Sequence, residues 1–257
     1  MNILMYKELR EKFGNDQARI KIFRKIWKRK AILRRIYFDK WDKMMKFSKK
    51  GKTLEVGSGP GTFKEYCPKA ISLDVVANPW IDVVSDGRHI PFKDNSIDTI
   101  IFVDVLHHMT DPIFFLQEAQ RVLKNGGRLI FEEPYISKLS HIIYSLHHEG
   151  MDMDCDRRNY KLDSQKKALE ADLAVATIMF GRDFNRVKKT IPMLKLVYLN
   201  KCDFFFHFLY GNFSYQQIIP SFFYHPLKLL EKILGNFKEL MAFKIMVVFE
   251  KRKSLST

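Results

Sequence analysis

The period of the apolar positions changes near residue 51, and that change divides the chain. Ile20, Phe23, Trp27, Ala31, Phe38, Trp41 and Met45 share one face at 3.6 residues per turn. Lys21, Arg24, Lys25, Lys28, Arg29 and Arg35 fall mostly on the other. The spacing predicts one basic amphipathic helix over 20–45. After Lys49-Lys50-Gly51 the pattern becomes short β-prone runs parted by turns, at 53–56, 71–76, 82–84, 97–105 and 128–132. The run 97–105 is apolar without alternation, as a strand covered on both faces of a parallel sheet reads. Residues 111–123 have helical spacing, with Asp111 as cap, Pro112 in the first turn and Asn125-Gly126-Gly127 as the stop. Two later runs, 195–206 and 243–251, bring the strands to seven. The gap between Asp74 and Asp86 is too short for a crossover helix and predicts a tight loop containing Pro79. Alternating strands and helices predict an α/β domain built on a mostly parallel sheet.

Composition adds three constraints. At 257 residues the chain suits one large domain with additions. Cys67, Cys155 and Cys202 have no paired spacing, which excludes a disulfide framework or a cysteine-based zinc site and fits a reducing compartment. No apolar run reaches membrane-spanning length, and residues 1–10 lack a signal-peptide core. The expected location is cytoplasmic. The net charge of +15 is uneven: residues 1–50 hold 17 Lys/Arg against 5 Asp/Glu. Such asymmetry suits nucleic acid, an anionic membrane or an acidic substrate. The commoner use of such a helix is to cover one face of a domain, so peripheral contact of residues 20–50 with the membrane's inner face is a secondary expectation.

The densest chemical signal is Glu55-Val56-Gly57-Ser58-Gly59-Pro60-Gly61 at the end of the first strand. Glycines there let the backbone turn sharply and approach a ligand. Thr62-Phe63 stands where a phosphate-binding P-loop needs Lys-Ser/Thr, which excludes that loop. This run resembles the first motif of class I S-adenosylmethionine-dependent methyltransferases of the type 11 kind. Ser72-Leu73-Asp74, Val84-Ser85-Asp86-Gly87 through Pro91-Phe92, Ser96-Ile97-Asp98, Leu106-His107-His108 and Glu118 through Gly127 are similar to its later motifs, in order. The resemblance covers residues 53–134. It implies a doubly wound, Rossmann-like sheet of seven strands with an antiparallel last strand, and S-adenosyl-L-methionine as cofactor. Charge and periodicity set off residues 1–50 as a basic helical extension, and the resemblance places the methyltransferase domain at 51–257, with lid-like insertions at 136–190 and 207–240.

An acid about 20 residues beyond a glycine loop suits ribose hydroxyls, and Asp74 is that acid. The resemblance implies that Glu55 holds the methionine amino group and that Gly57, Ser58, Gly59 and Gly61 admit the cofactor. It places Asp86 and Gly87 at the adenine, counts Val75 among the cofactor-binding residues, and puts Val103 and Asp104 at the end of strand four beside the sulfonium. His107 and His108 are candidate general bases, because imidazole titrates in the useful range. The competing reading is a histidine that satisfies backbone at a strand end. His141 with His147-His148-Glu149 matches no strong ligand spacing, and no metal is expected. The acceptor expected is a hydroxyl of a sugar or lipid-linked envelope precursor. Quinone or RNA methylation and a non-catalytic binding subunit are the alternatives. Strand four ends Asp104-Val105-Leu106-His107, without the Asn/Asp-Pro-Pro-aromatic motif of amino-group methyltransferases, so nucleic acid is not an expected partner.

Overall fold

In the computed structural model, which describes residues 5–12, 15–147, 152–156, 172–204 and 206–253, the basic N-terminal segment is not one helix. A short α1 (Lys7–Arg10) precedes α2 (Asp16–Arg29) and α3 (Ala31–Met45). Asn15 caps α2 by accepting from the Ala18 amide. Lys30 leaves the helical region, at φ −102° and ψ 85°. The cause is long-range. Its buried ammonium donates to the carbonyls of Asn212 at 3.2 Å and Tyr215 at 2.9 Å. Burial brings its pKa down to about 8.

The remaining elements alternate. β1 (Thr53–Val56) and α4 (Phe63–Tyr66) precede β2 (Ile71–Asp74), β3 (Val83–Val84) and β4 (Ile97–Val103). A 3-10 turn (Leu106–His108) leads into α5 (Pro112–Val122), β5 (Leu123–Pro134) and α6 (Lys138–His147). α7 (Val175–Thr177), a π turn (Ile178–Arg182) and α8 (Phe184–Thr190) come before β6 (Leu194–Cys202). α9 (Phe206–Leu209), α10 (Tyr224–Ile233) and α11 (Lys238–Met241) then lead to β7 (Lys244–Lys251). The sheet order is β3-β2-β1-β4-β5-β7-β6, with β1 to β5 parallel and β7 antiparallel to both neighbours. This is the α/β, Rossmann-like arrangement expected from the sequence.

Two local expectations change. β5 begins at Leu123, so Asn125-Gly126-Gly127 lies in an irregular strand start rather than a helix stop. Gly126 at φ +79° and a register shift opposite Ile97 and Thr99 absorb it. Asp111 does cap α5, accepting from Phe114 at 3.1 Å. Residues 75–82 hold no helix. Instead Asp82 closes the loop on Ser72, accepting from its amide and hydroxyl.

Alternate side chains of the strands supply the two faces of the sheet. Ile101, Ile130, Met246 and Val248 meet Ile26, Trp27, Leu33, Trp41 and Met44 of the N-terminal helices. Ile100, Phe102, Phe131, Val247 and Phe249 meet α5 and the run α7 to α8. The apolar stripe of α2 and α3 is therefore consumed by the sheet. That stripe is thus not open to a bilayer. Only the basic side, with Lys21, Lys25, Lys28 and Arg35, faces outward. Within the lid-like stretch 136–190, residues 173–180 together with Val187 are packed core, while 157–171 lie outside the described residues. No helix among the described residues is long and apolar enough to cross a membrane.

Candidate cofactor crevice and its acceptor side

The order of strands reverses between β1 and β4, so the loops leaving their carboxyl ends diverge and open a crevice. The glycine loop stands on one side. Gly57 has φ +67°, and a Cβ there would lie 2.4 Å from Val105 Cγ2, so neither conformation nor space admits a side chain. Gly59 has φ +49°, yet a Cβ would meet nothing within 4 Å. Its bareness leaves open space beside the backbone. Ser58 ties the loop to β2 through its amide and the Leu73 carbonyl, and its hydroxyl lies 3.2 Å from the Glu55 carbonyl. The Gly61 amide closes the turn on the Ser58 carbonyl.

Asp74 ends β2 and is buried. Its carboxylate accepts from the Gly59 amide at 2.7 Å and the Val76 amide at 2.8 Å, one on each oxygen. Burial raises its pKa, and those amides oppose the rise. The Val75 amide also lowers it, so three backbone donors face this carboxylate. Val75 beside it is exposed. Asn78, which the sequence reading did not single out, donates to the Gly59 and Val76 carbonyls and joins the same two segments.

Glu55 is the anomaly of the site. Its Oε2 is buried with no hydrogen-bond partner. Burial pushes its pKa up to about 8, against a lowering bond from Ser58, while Asp74 adds to the rise. A buried carboxyl oxygen without a donor calls for one, and an ammonium would supply both donor and charge. With the open space at Gly59, this acceptor fits the amino acid portion of S-adenosyl-L-methionine.

The third strand brings Asp86 and Gly87. Asp86 is engaged by its neighbour: Arg88 binds it through Nε at 3.0 Å, a terminal nitrogen at 2.6 Å and the amide at 2.8 Å. These bonds hold its carboxyl below the usual range. Val103, at the end of β4, is half-buried and packs among the core residues under the N-terminal helices.

Glu133 organises the two candidate histidines. It is fully buried and accepts from the amides of Val105 at 2.7 Å and Leu106 at 2.8 Å. Its other oxygen lies 2.6 Å from His107 Nδ1. His107 is buried, and its carbonyl accepts from the Asp172 amide. It thereby serves as an anchor of the turn, the bland alternative for a strand-end histidine. His108 is half-buried, its ring 4.2 Å from that of His107. Glu133 was missed because strand five reads as apolar; the pair Glu132-Glu133 closing that run was the available signal.

Beyond Val103 lies a second polar group. Asp104 has φ +58° and pairs with the buried Lys244 at the start of β7. Lys40 of α3 reaches Glu132 at 2.5 Å, both nearly buried. Burial works against charge on Lys40, but Glu132, with Tyr37 and Asp104, overcomes it and holds its pKa well above normal. Among the described residues no group of three or more His, Cys, Asp or Glu could hold a metal ion. His148 and Glu149 of the histidine-rich stretch lie outside the described residues.

Residues 54–131 match the family model described as a methyltransferase domain. An uncharacterized protein of Methanocaldococcus jannaschii is 31% identical over 103 residues, 37% of this chain and 50% of that protein. A demethylmenaquinone methyltransferase of Paenarthrobacter aurescens is 34% identical over 97 residues, 32% of this chain and 38% of that one. A tRNA (carboxymethyluridine(34)-5-O)-methyltransferase of Schizosaccharomyces pombe is 27% identical over 90 residues, 30% of this chain and 40% of that one. The chain spans half or less of the length of these relatives. Among solved structures, a SAM-dependent methyltransferase from Thermotoga maritima superposes with a TM-score of 0.56 at 15% identity, covering 90% of this chain and 99% of its own. That likeness is one of fold. The domain match implies S-adenosyl-L-methionine as the cofactor. A relative named for tRNA leaves the expectation against nucleic acid without support.

Proposed function

We propose, with a methyltransferase domain at residues 54–131 as premise, that the protein methylates a hydroxyl of a small molecule, a sugar or lipid-linked envelope precursor. The observation that carries the cofactor half is the partnerless buried oxygen of Glu55 beside the open space at Gly59. In this reading Glu55 receives the methionine ammonium, and Gly57, Ser58, Gly59 and Gly61 line the approach. Asp74 accepts from ribose hydroxyls, with Val75 alongside. Gly87 and Asp86 meet the adenine edge, and Val103 packs beside the reacting centre. The cofactor supplies a methyl group on an already activated sulfonium, so alignment accounts for much of the rate.

Titration of Glu55 tests this directly. Its folded-state pKa of about 8 exceeds the ordinary carboxylate value, so the free protein holds the proton at neutral pH. The protonated folded form is favoured below the ordinary pKa, and that advantage is lost as pH rises towards 8. An ammonium placed on Glu55 expels the proton. Calorimetry with S-adenosylhomocysteine at pH 7, in buffers of different ionisation enthalpy, is expected to show release of about one proton per site. Glu55→Gln should bind with no release. Equal release by both proteins would remove Glu55 from the site.

For the acceptor half, β5 and β6 end at the crevice side of the sheet, and α6 and the segment 206–241 follow them there. They supply a roof over the acceptor. His107 is the positioning residue, oriented by Glu133, and His108 takes the hydroxyl proton. His108→Ala should lower kcat by ~100-fold, the scale of a lost general base, with cofactor affinity unchanged. A full rate in that variant removes the base. A second reading, a quinone or RNA acceptor, is favoured by the names of two relatives. A screen with labelled cofactor across saccharides, quinones and RNA decides: transfer to RNA or quinone alone replaces the saccharide assignment. Binding of cofactor with transfer to none supports a binding subunit.

A further inference from the structure

Residues 218–240 carry most of the exposed large apolar side chains among the described residues. Phe222 is 73% exposed, Leu229 61%, Ile233 66%, Phe237 55% and Leu240 45%. With the exposed Pro226 these positions advance by three or four, along a run of helical turns in which 3-10 turns at Ser221–Phe223 and Leu234–Phe237 flank α10 and precede α11. The opposite face of the same segment is already occupied. Tyr224 packs with Ile32, Phe206 and Tyr210, Leu227 joins them, and Leu234 and Met241 reach the main core. Tyr224 and Lys228 both bond to Asp39 of α3, and Glu231 accepts from the Phe204 amide at 2.6 Å. The segment is thus fixed to the body, and its second apolar face points to solvent. Such an apolar stripe on a well-anchored segment marks an interaction surface.

Charge selects the occupant. Arg35, on the outward side of α3, lies over the Tyr224 ring and contacts His225 at the edge of the stripe. Lys232 and Lys238 are exposed on the segment itself, and its exposed acid, Glu239, is paired with Lys201. The whole chain carries +15. A second copy would bring like charge against like charge. Apolar side chains flanked by bases suit the boundary between headgroups and acyl chains of an anionic bilayer.

We propose that the outer face of residues 222–240 docks on an anionic phospholipid bilayer, with the stripe at the acyl boundary and Arg35, Lys232 and Lys238 at lipid phosphates. This surface differs from the N-terminal stripe, which the sheet covers, and it stands apart from any choice of methyl acceptor. The test needs no activity. The full chain is floated with vesicles of phosphatidylcholine alone and of phosphatidylcholine with phosphatidylglycerol. Binding is expected to the anionic vesicles only, and to weaken with salt. The triple variant Leu229→Glu, Ile233→Glu, Phe237→Glu should retain the wild-type melting temperature, because these side chains are exposed, and should partition about tenfold less. Lys232→Glu with Lys238→Glu, which leaves the stripe intact, should also weaken binding. Three outcomes overturn the proposal: no vesicle binding by the wild type, undiminished binding by both variants, or a dimer in light scattering that the triple variant dissolves.

Discussion

Lys40→Met is expected to destabilise the protein by ~3–5 kcal/mol, because it strands Glu132 as a buried charge with its partner removed. The two side chains are 10% and 7% exposed, so solvent screens the pair little. The pair joins α3 to the end of β5 and thus fastens the N-terminal helices to the sheet. Adding Glu132→Leu to Lys40→Met should recover most of the loss, since paired apolar replacements of buried ion pairs are often neutral. Urea unfolding reads both, as a lowered midpoint at unchanged slope for the single variant. Equal midpoints for single and double variants would show that the two residues do not act as a unit.

Asp74→Ala is expected to weaken cofactor binding by roughly 10- to 100-fold, from the loss of charge-assisted hydrogen bonds worth ~1.5–3 kcal/mol. The structure refines the reason. Asp74 also holds the Gly59 and Val76 amides, so its removal frees the glycine loop as well as the proposed ribose contact. Asp74→Asn separates these roles, because its carbonyl can still accept from the Gly59 amide while the charge is gone. It should bind with intermediate affinity. Binding by titration calorimetry in folded Asp74→Ala that matches the wild type would move the ribose elsewhere.

The strands and the glycine loop were legible because their signals are local. A run such as Ile97–Val103 reports its own burial, and Asp111-Pro112 announces a helix start within two residues. The break at Lys30 was not legible. Nothing near it is a glycine or proline, and the carbonyls that draw its ammonium inward belong to residues 212 and 215. The same holds for the site. Gly57 and Asp74 belong to one short stretch of pattern, whereas His107 owes its role to Glu133, and Asp104 faces a lysine from the last strand. The basic stripe of α2 and α3 was read correctly as amphipathic. Which apolar face remained open, theirs or that of α10, depended on packing partners far along the chain.

The covering of the sheet by α2 and α3 has a consequence for synthesis. These helices are made before the strands they cover, and their contacts include Met246 and Val248 of β7. Lys30 finds its second carbonyl only when Tyr215 has emerged, 185 residues later. At ~5–20 residues per second that is a delay of roughly 10–40 s. Throughout it Ile26, Trp27, Trp41 and Met44 have no complete sheet to cover. The nascent chain therefore presents an aromatic, basic segment to its surroundings well before the fold can close, and holdase chaperones that bind such segments should raise its yield.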